Sequence, residues 1–408
     1  MGWAFDGLDG FLYSLVAVPF VKELLGGASA GMPEVAKKAA LIQAVFLFGW
    51  ALGGAFFGRI GDKIGRTHTL TLTILTYALF TGLSFFSQAW WHLMIFRFVA
   101  ALGIGGEWAA GSSLVSETLH PKHKAWASAT LQTGYMAGMI LASLTVSGLV
   151  GSGAFPHRAV FLVGVLPALA TVWIRRAVPE PEEWKGAREH EKMPSVAALF
   201  SPAVRKVTLL TLSMTSICLT TVWAFLFFTN QVLRALPEVK ALAVPEQERL
   251  ITGITIVWVL WNIAGNYAAT YLAKFTGYRR AMAVMLVFSF VSYYLGFREP
   301  LSLEATRWWF NIAAFFSLGI FALFPLYIPP LFPTLLRTTG AGFCYNFGRI
   351  VAAGGALVGG QIIAGHFPGL GIWWLGFLYI PGILLALVMP EHGPGMHGEP
   401  ELATAPAV

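Results

Sequence analysis

The sequence predicts an all-α polytopic membrane protein with twelve transmembrane helices in two six-helix pseudo-repeats. Three observations carry that expectation. Hydrophobic residues make up 56% of the 408 and charged residues 12%. A soluble domain carries about 25% charge, so this chain cannot build a water-facing surface. Apolar runs of about eighteen residues or more recur along the whole length, each long enough to cross a hydrocarbon core of about 30 Å. The runs are continuous rather than alternating, which excludes barrel strands. The longest polar connection, Arg175 to Lys206, falls after the sixth run and leaves six on either side.

The expected spans are residues 2–24, 37–57, 67–87, 90–116, 125–150, 157–176, 205–233, 250–273, 281–297, 307–330, 338–364 and 368–389. The domain reading follows: an N-terminal six-helix bundle over 1–176, a linker over 177–204 that is partly helical at the membrane surface, a C-terminal bundle over 205–390, and a disordered Gly-, Pro- and Ala-rich tail over 391–408. His392 and His397 in that tail read as solvated residues rather than metal ligands. Orientation comes from the lysines and arginines of the connections: sixteen lie on the face carrying both termini and nine on the opposite face. The bias places both termini in the cytoplasm of a plasma (inner) membrane. The net charge of +7 is therefore loop asymmetry rather than a nucleic-acid patch. Cys218 and Cys344 both fall in apolar segments, so no disulfide framework is expected.

Between the second and third spans lies a charged island, Gly58-Arg-Ile-Gly-Asp62-Lys63-Ile-Gly65-Arg66. A connection this short forces its flanking helices to be antiparallel neighbours. The eighth span is followed by a matching stretch, Leu272 to Arg280, where Gly277 matches Gly65 and Lys274 stands in place of Asp62. Glu117 with Pro121 and Lys124 closes the fourth span much as Pro333 with Arg337 closes the tenth. Two such repeats around a midplane cavity are the architecture of a rocking carrier.

Several residues carry charge or polarity at membrane depth. Asp6 and Asp9 share one face of the first span, and Asp9 lies about 12 Å along it at 1.5 Å per residue. Keeping a carboxylate ionised there costs several kcal/mol, which suits Asp9 to carrying a proton; Asp6 has the plainer reading of capping the helix start. Arg97 sits inside the fourth span and Arg349 near the middle of the eleventh. A guanidinium at that depth needs an anion, either a substrate carboxylate or a structural partner, which for Arg97 is Asp9 or Glu107 and for Arg349 a helix-end carbonyl. Glu107 lies about 15 Å beyond Arg97 along the same helix, too far for direct pairing, and is a second protonation candidate. Gly103, Gly105 and Gly106 follow no strand, so close helix packing explains them better than a dinucleotide loop. Gly134 and Gly138 read the same way. Gln132, Tyr135, Asn230, Gln231, Asn262, Asn266, Asn311, Tyr345 and Asn346 are uncharged polar groups within spans. Of these, Gln132, Asn262 and Tyr345 are the expected lining residues.

The island Gly58-x-x-x-Asp62-Lys63-x-Gly65-Arg66 resembles the loop 2–3 signature of the major facilitator superfamily. Arg97 to Trp108, Pro179 to Trp184 and Leu331 to Arg349 resemble its sugar-porter-like and carboxylate:proton symporter branches. Phe5-Asp6-Gly7-Leu8-Asp9 resembles the paired-aspartate motif of the aromatic-acid:proton symporters, with relatives in the sialate and lactate carriers. The resemblance covers essentially the whole chain, and its motifs occur in the order the family has them. Ala101, Pro330 and Lys274 depart from it, standing where a glycine, a glutamate and an aspartate are usual. Only five residues precede Asp6 where the family has a longer leader, so an upstream start site is one reading. The resemblance implies that Arg97, Arg349 and Glu117 are needed for transport. It also implies that Gly58, Asp62, Lys63, Gly65, Arg66, Glu117 and Arg337 form a cytoplasmic gate or latch.

The expectation is then a carrier rather than an enzyme, using no cofactor and no metal. It would act as a monomer in the bilayer, with a small organic anion and protons as its partners and no nucleic acid. Asp6, Asp9 and Glu107 would couple protons, while Arg97, Arg349, Gln132, Asn262 and Tyr345 would contact an organic monocarboxylate. The alternatives are a sugar:proton symporter and, from a different class, a non-transporting sensor built on a carrier fold. Two membrane-embedded arginines argue against a neutral sugar, and no ordered signalling domain is visible in the sequence.

Overall fold

A computed structural model describes residues 2–27, 31–150, 155–299, 301–366 and 371–391, and among these residues all regular structure is helical. The first half holds α1 (Gly2–Leu24), α2 (Met32–Ile64), α3 (Arg66–Ser84), α4 (Trp90–Thr118), α5 (Pro121–Leu149), α6 (Val160–Val163), α7 (Pro167–Ala177) and, in the linker, α8 (Glu182–His190). The second half holds α9 (Arg205–Ala235), α10 (Pro237–Lys240), α11 (Val244–Thr276), α12 (Tyr278–Gly296), α13 (Leu303–Ala313), α14 (Phe324–Tyr327), α15 (Arg337–His366) and α16 (Tyr379–Val388). Among the described residues, six helices are long and apolar enough to cross a membrane, including Trp3–Leu24, Trp90–Thr118 and Arg249–Thr276. The chain is a multi-pass integral membrane protein. The tail over 392–408 lies outside the described residues, as do the side chains of Asn230 and Gln231.

The elements differ from the expected spans in two ways. The island after residue 57 is not a loop: α2 runs on to Ile64, and Gly65 alone breaks the chain before α3. Continuing the helix keeps its backbone hydrogen-bonded while its charged residues project past the apolar zone. Three spans are also interrupted. The sixth breaks between Val163 and Pro167, whose ring opens α7 where a missing N–H costs nothing. The tenth passes from α13 through a π-helical turn, Ala314–Leu318, and a 3-10 segment, Gly319–Leu323, before α14. The twelfth starts as a 3-10 segment, Gly371–Leu378.

The helices group into two compact units, the first comprising Met1–Thr118, Leu131–Ser201 and Phe332–Phe347, the second Leu119–Thr130, Pro202–Leu331 and Gly348–Val408. The first unit's core is built on Leu12, Val16, Phe20, Val21, Ile42 and Leu93, all fully buried. Here α2 and α4 lie almost backbone to backbone: a Cβ on Gly49 would stand 2.6 Å from the Phe98 carbonyl, and one on Gly103 would stand 2.7 Å from the Thr73 carbonyl of α3. This is the small-residue contact by which helices associate in lipid.

One structural device occurs twice. Gly65 (φ 107°) precedes α3 and Gly277 (φ 85°) precedes α12, both in the left-handed region that disfavours a Cβ. In the first unit Glu180 lies over Gly65 and accepts from the Arg66 and His68 N–H groups at 2.7 and 2.9 Å. In the second unit Glu391 lies over Gly277 and accepts from the Tyr278 N–H at 2.9 Å. Each carboxylate follows a proline, in Pro179-Glu180 and Pro390-Glu391. It satisfies orphan N–H groups at a positive helix end. Replacing Gly65 by alanine should therefore lower stability by at least about 1–2 kcal/mol from backbone strain alone. Gly186→Ala in α8, where a Cβ meets nothing within 4 Å, should cost no stability; thermal unfolding in detergent compares the two.

Candidate substrate and coupling site

Asp9 on α1 and Arg97 on α4 are both fully buried. The Arg97 Nη1 donates to Asp9 Oδ1 at 2.9 Å and to Oδ2 at 3.1 Å, and Nη2 donates to the Asp9 carbonyl at 3.1 Å. Thr81 of α3 adds a donor to Asp9 Oδ1 at 2.7 Å. The guanidinium lies 4.5 Å from the Phe46 ring centroid and within 6 Å of those of Tyr13 and Phe161. Its charge is thus met by one carboxylate and by aromatic faces in place of water. Asp9, weighed in the sequence both as a proton carrier and as the structural partner of Arg97, is paired with it here.

Glu107, ten positions along α4 from Arg97, is buried, and so is Asp6. Tyr77 of α3 is buried in the same unit. Gln132 is buried with Oε1 lacking a hydrogen-bond partner among the described residues, and Trp108 Nε1 is in the same position. Tyr345 stacks on Trp108 with ring centroids 3.8 Å apart and planes 9° from parallel. These groups belong to the first unit. In the second unit Asn262 donates to Asn266 at 3.5 Å, and Arg349 is buried.

The predicted latch residues gather around the start of α15. Asp62 accepts from the N–H groups of Thr338 and Thr339 at 3.0 and 2.8 Å and from the Thr339 hydroxyl at 2.5 Å. This seats an anion on the positive end of α15. Arg66 lies 3.4 Å from Asp62, donates to Glu117 at 3.0 Å and to the Thr334 carbonyl at 2.6 Å. Glu117 also pairs with Arg337 at 2.9 Å, and Arg337 pairs with Glu183 at 2.9 Å. Gly58 permits the approach of α2 to α15, since a Cβ there would stand 2.7 Å from the Thr338 carbonyl. Arg59 donates to the Pro194 carbonyl at 2.5 Å. Lys63 is exposed.

Sequence reasoning missed Thr81, Tyr77, Thr339, Glu180 and Glu391. The first three are ordinary residues on apolar helices and carry no local mark. The two glutamates did leave a signal: Pro-Glu follows both the sixth and the twelfth span.

A buried ion pair, further buried carboxyls and a charged cluster at the start of α15 lie inside this helical membrane bundle. Residues 2–245 match the Major Facilitator Superfamily, and the chain belongs to that family; it is a transporter and not an enzyme. It is 29% identical over 374 residues to a probable 4-methylmuconolactone transporter of Cupriavidus pinatubonensis, covering 90% of this chain and 82% of that one. It is 28% identical over 380 residues to the sialic acid transporter NanX of Escherichia coli, covering 91% and 87%, and 27% identical over 370 residues to a putative niacin/nicotinamide transporter of Bacillus subtilis, covering 90% and 87%. Among solved structures it resembles the proton:xylose symporter XylE, with a TM-score of 0.74 at 15% identity over 96% of this chain and 94% of that one. It also resembles the E. coli fucose:proton symporter FucP, with a TM-score of 0.72 at 14% identity over 96% and 97%. At these identities the structural likeness establishes the fold.

Two outcomes follow from the geometry. Asp9→Asn leaves Arg97 buried without its counter-charge and should cost about 3–5 kcal/mol, whereas Asp9→Asn combined with Arg97→Gln should recover much of that loss; unfolding in detergent measures both. Asp62→Asn removes the charge that three donors of α15 share and should impair transport, whereas Lys274→Ala, at the matching place in the other repeat, should matter much less. Equal loss of uptake in the two would sink the latch assignment.

Proposed function

We propose that this transporter moves an organic monocarboxylate or related organic anion together with protons, by alternating access. The buried Asp9–Arg97 pair carries the proposal. With Asp9 ionised the pair is neutral. A proton on Asp9 leaves the guanidinium charge uncompensated in a site that water does not screen, and a substrate carboxylate restores neutrality. The empty and the doubly loaded carrier are then both neutral at this site. Loading the proton alone or the anion alone leaves a net charge that costs several kcal/mol at membrane depth. Coupling follows from that cost. Asp6 and Glu107, two further buried carboxyls of the same unit, serve as an adjoining proton site. Gln132 and Trp108 offer buried polar atoms to the substrate, and Tyr345 backs Trp108. Arg349 is assigned to the substrate carboxylate from the second half, with Asn262 as a polar contact.

The relatives support an acid substrate: sialic acid and niacin, named for two of them, both carry a carboxyl group. On the lysine and arginine bias, both termini face the cytoplasm of the inner membrane. The Asp62–Arg66–Glu117–Arg337 cluster then closes the cytoplasmic end and stabilises the outward-facing state. The protein acts as a monomer.

Counterflow in proteoliposomes across radiolabelled carboxylates and sugars, with and without a pH gradient, tests the proposal. Carboxylate uptake that rises with an inward proton gradient is expected. Sugar uptake without carboxylate uptake would establish the sugar:proton alternative, and gradient-independent uptake would remove the proton role. Arg349→Gln should weaken carboxylate affinity at least about tenfold, or ~1.4 kcal/mol; unchanged affinity would show its charge to be structural.

A further inference from the structure

The second unit has a cavity of about 550 Å³ lined by Phe275, Thr276, Gly277, Arg279, Arg280, Leu387 and Glu391. It lies where α11 ends, α12 begins and α16 ends, and it has no part in the substrate or latch assignments. Two cations line it. Arg279 is steadied by donating to the Leu387 carbonyl, while Arg280 is exposed. Lys274, also exposed, adds a third cation one turn back on α11. Glu391, the one acid among the described lining residues, accepts from the Tyr278 N–H at 2.9 Å; with two arginines against one carboxylate, the lining keeps a net positive charge.

The rim is apolar. Phe275 is 79% exposed, and Leu384, Leu387 and Val388 are exposed on the last turns of α16. A free solute phosphate would have no use for such a rim. A phospholipid has use for both parts: its phosphodiester suits the arginines, which bind phosphate in a bidentate fork, and its acyl chains suit the exposed side chains at the ends of membrane-spanning helices. We propose that this cavity is a binding site for the headgroup of an anionic phospholipid, with Arg279 and Arg280 on the phosphate and Phe275 and Leu387 against the upper acyl chains. A zwitterionic headgroup brings its own cation to the arginines and binds less well, and a basic pocket at helix ends discriminates on that ground.

The test uses the full-length protein in mixed micelles of phosphatidylglycerol and phosphatidylcholine, counting retained lipid by native mass spectrometry, with inorganic phosphate in a parallel thermal-shift arm. Retention of phosphatidylglycerol over phosphatidylcholine is expected. Arg280→Gln should weaken it about fivefold without changing the melting temperature of lipid-free protein, because Arg280 is exposed. Phe275→Ser should weaken it as well, by removing the acyl-chain contact rather than charge. Equal retention of the two lipids, or no effect of either substitution, overturns the proposal. Stabilisation by inorganic phosphate equal to that by phosphatidylglycerol would overturn the lipid assignment in favour of a soluble anion.

Discussion

A charge inside an apolar bundle has to be neutralised where it stands, and the Asp9–Arg97 pair is the clearest consequence of that constraint. Removing two ions from water costs several kcal/mol each, and only close, fully hydrogen-bonded geometry offsets it. The first unit meets that requirement with three helices: α1 brings the carboxylate and its main-chain carbonyl, α4 the guanidinium, and α3 the Thr81 hydroxyl. Phe46, Tyr13 and Phe161 then surround the cation with ring faces. The packing of these helices and the satisfaction of the pair are therefore one problem. The glycine contacts among α2, α3 and α4 solve its other part, by letting backbones approach where side chains would hold them apart.

The same constraint acts differently at helix ends, where the partner is a row of N–H groups. Asp62 sits on the start of α15, Glu180 on the start of α3 and Glu391 on the start of α12. Each contact joins an element to a helix distant in sequence, so each works as a clasp as well as a cap. The repeat is imperfect in an informative way. Both halves keep the positive-φ glycine and the Pro-Glu clasp, but only the first keeps an acid at the end of the preceding helix; the second has Lys274 there. The clasps hold each repeat together, whereas the Asp62 contact and the Arg66–Glu117–Arg337 chain tie the first repeat to the start of α15.

Much of the fold could be read from the sequence because each span had to be apolar by itself. Length and hydropathy pointed to a twelve-span bundle, and Asp9 and Arg97 both fall in helices long and apolar enough to cross a membrane. Whether Arg97 is answered by Asp9 or by a substrate carboxylate could not be settled, because that depends on how α1 lies against α4, a contact between residues 88 positions apart. The extension of α2 through Ile64 was hidden because charge marks the end of the apolar zone, not the end of the helix. The π-helical turn in the tenth span was hidden because Ala314–Leu318 is as apolar as any regular helix. Its geometry comes from neighbours: the backbone of Phe315 abuts Gly265 of α11 so closely that a Cβ there could not be placed.

The two units divide the chemistry unevenly. The first holds the buried carboxyls Asp6, Asp9 and Glu107 and the cation that answers Asp9. Described buried groups of the second include amides and hydroxyls: Asn262 bonded to Asn266, and the buried Tyr293, Ser317 and Tyr379. Amides and hydroxyls neither gain nor lose a proton near neutral pH, so they can orient a substrate but cannot couple it to a proton gradient. Titratable groups can do both, at the cost of needing a counter-charge in every protonation state. On the proposed mechanism the proton chemistry therefore resides in the first unit, where Arg97 supplies that counter-charge. The second unit contributes Arg349 and neutral contacts to recognition.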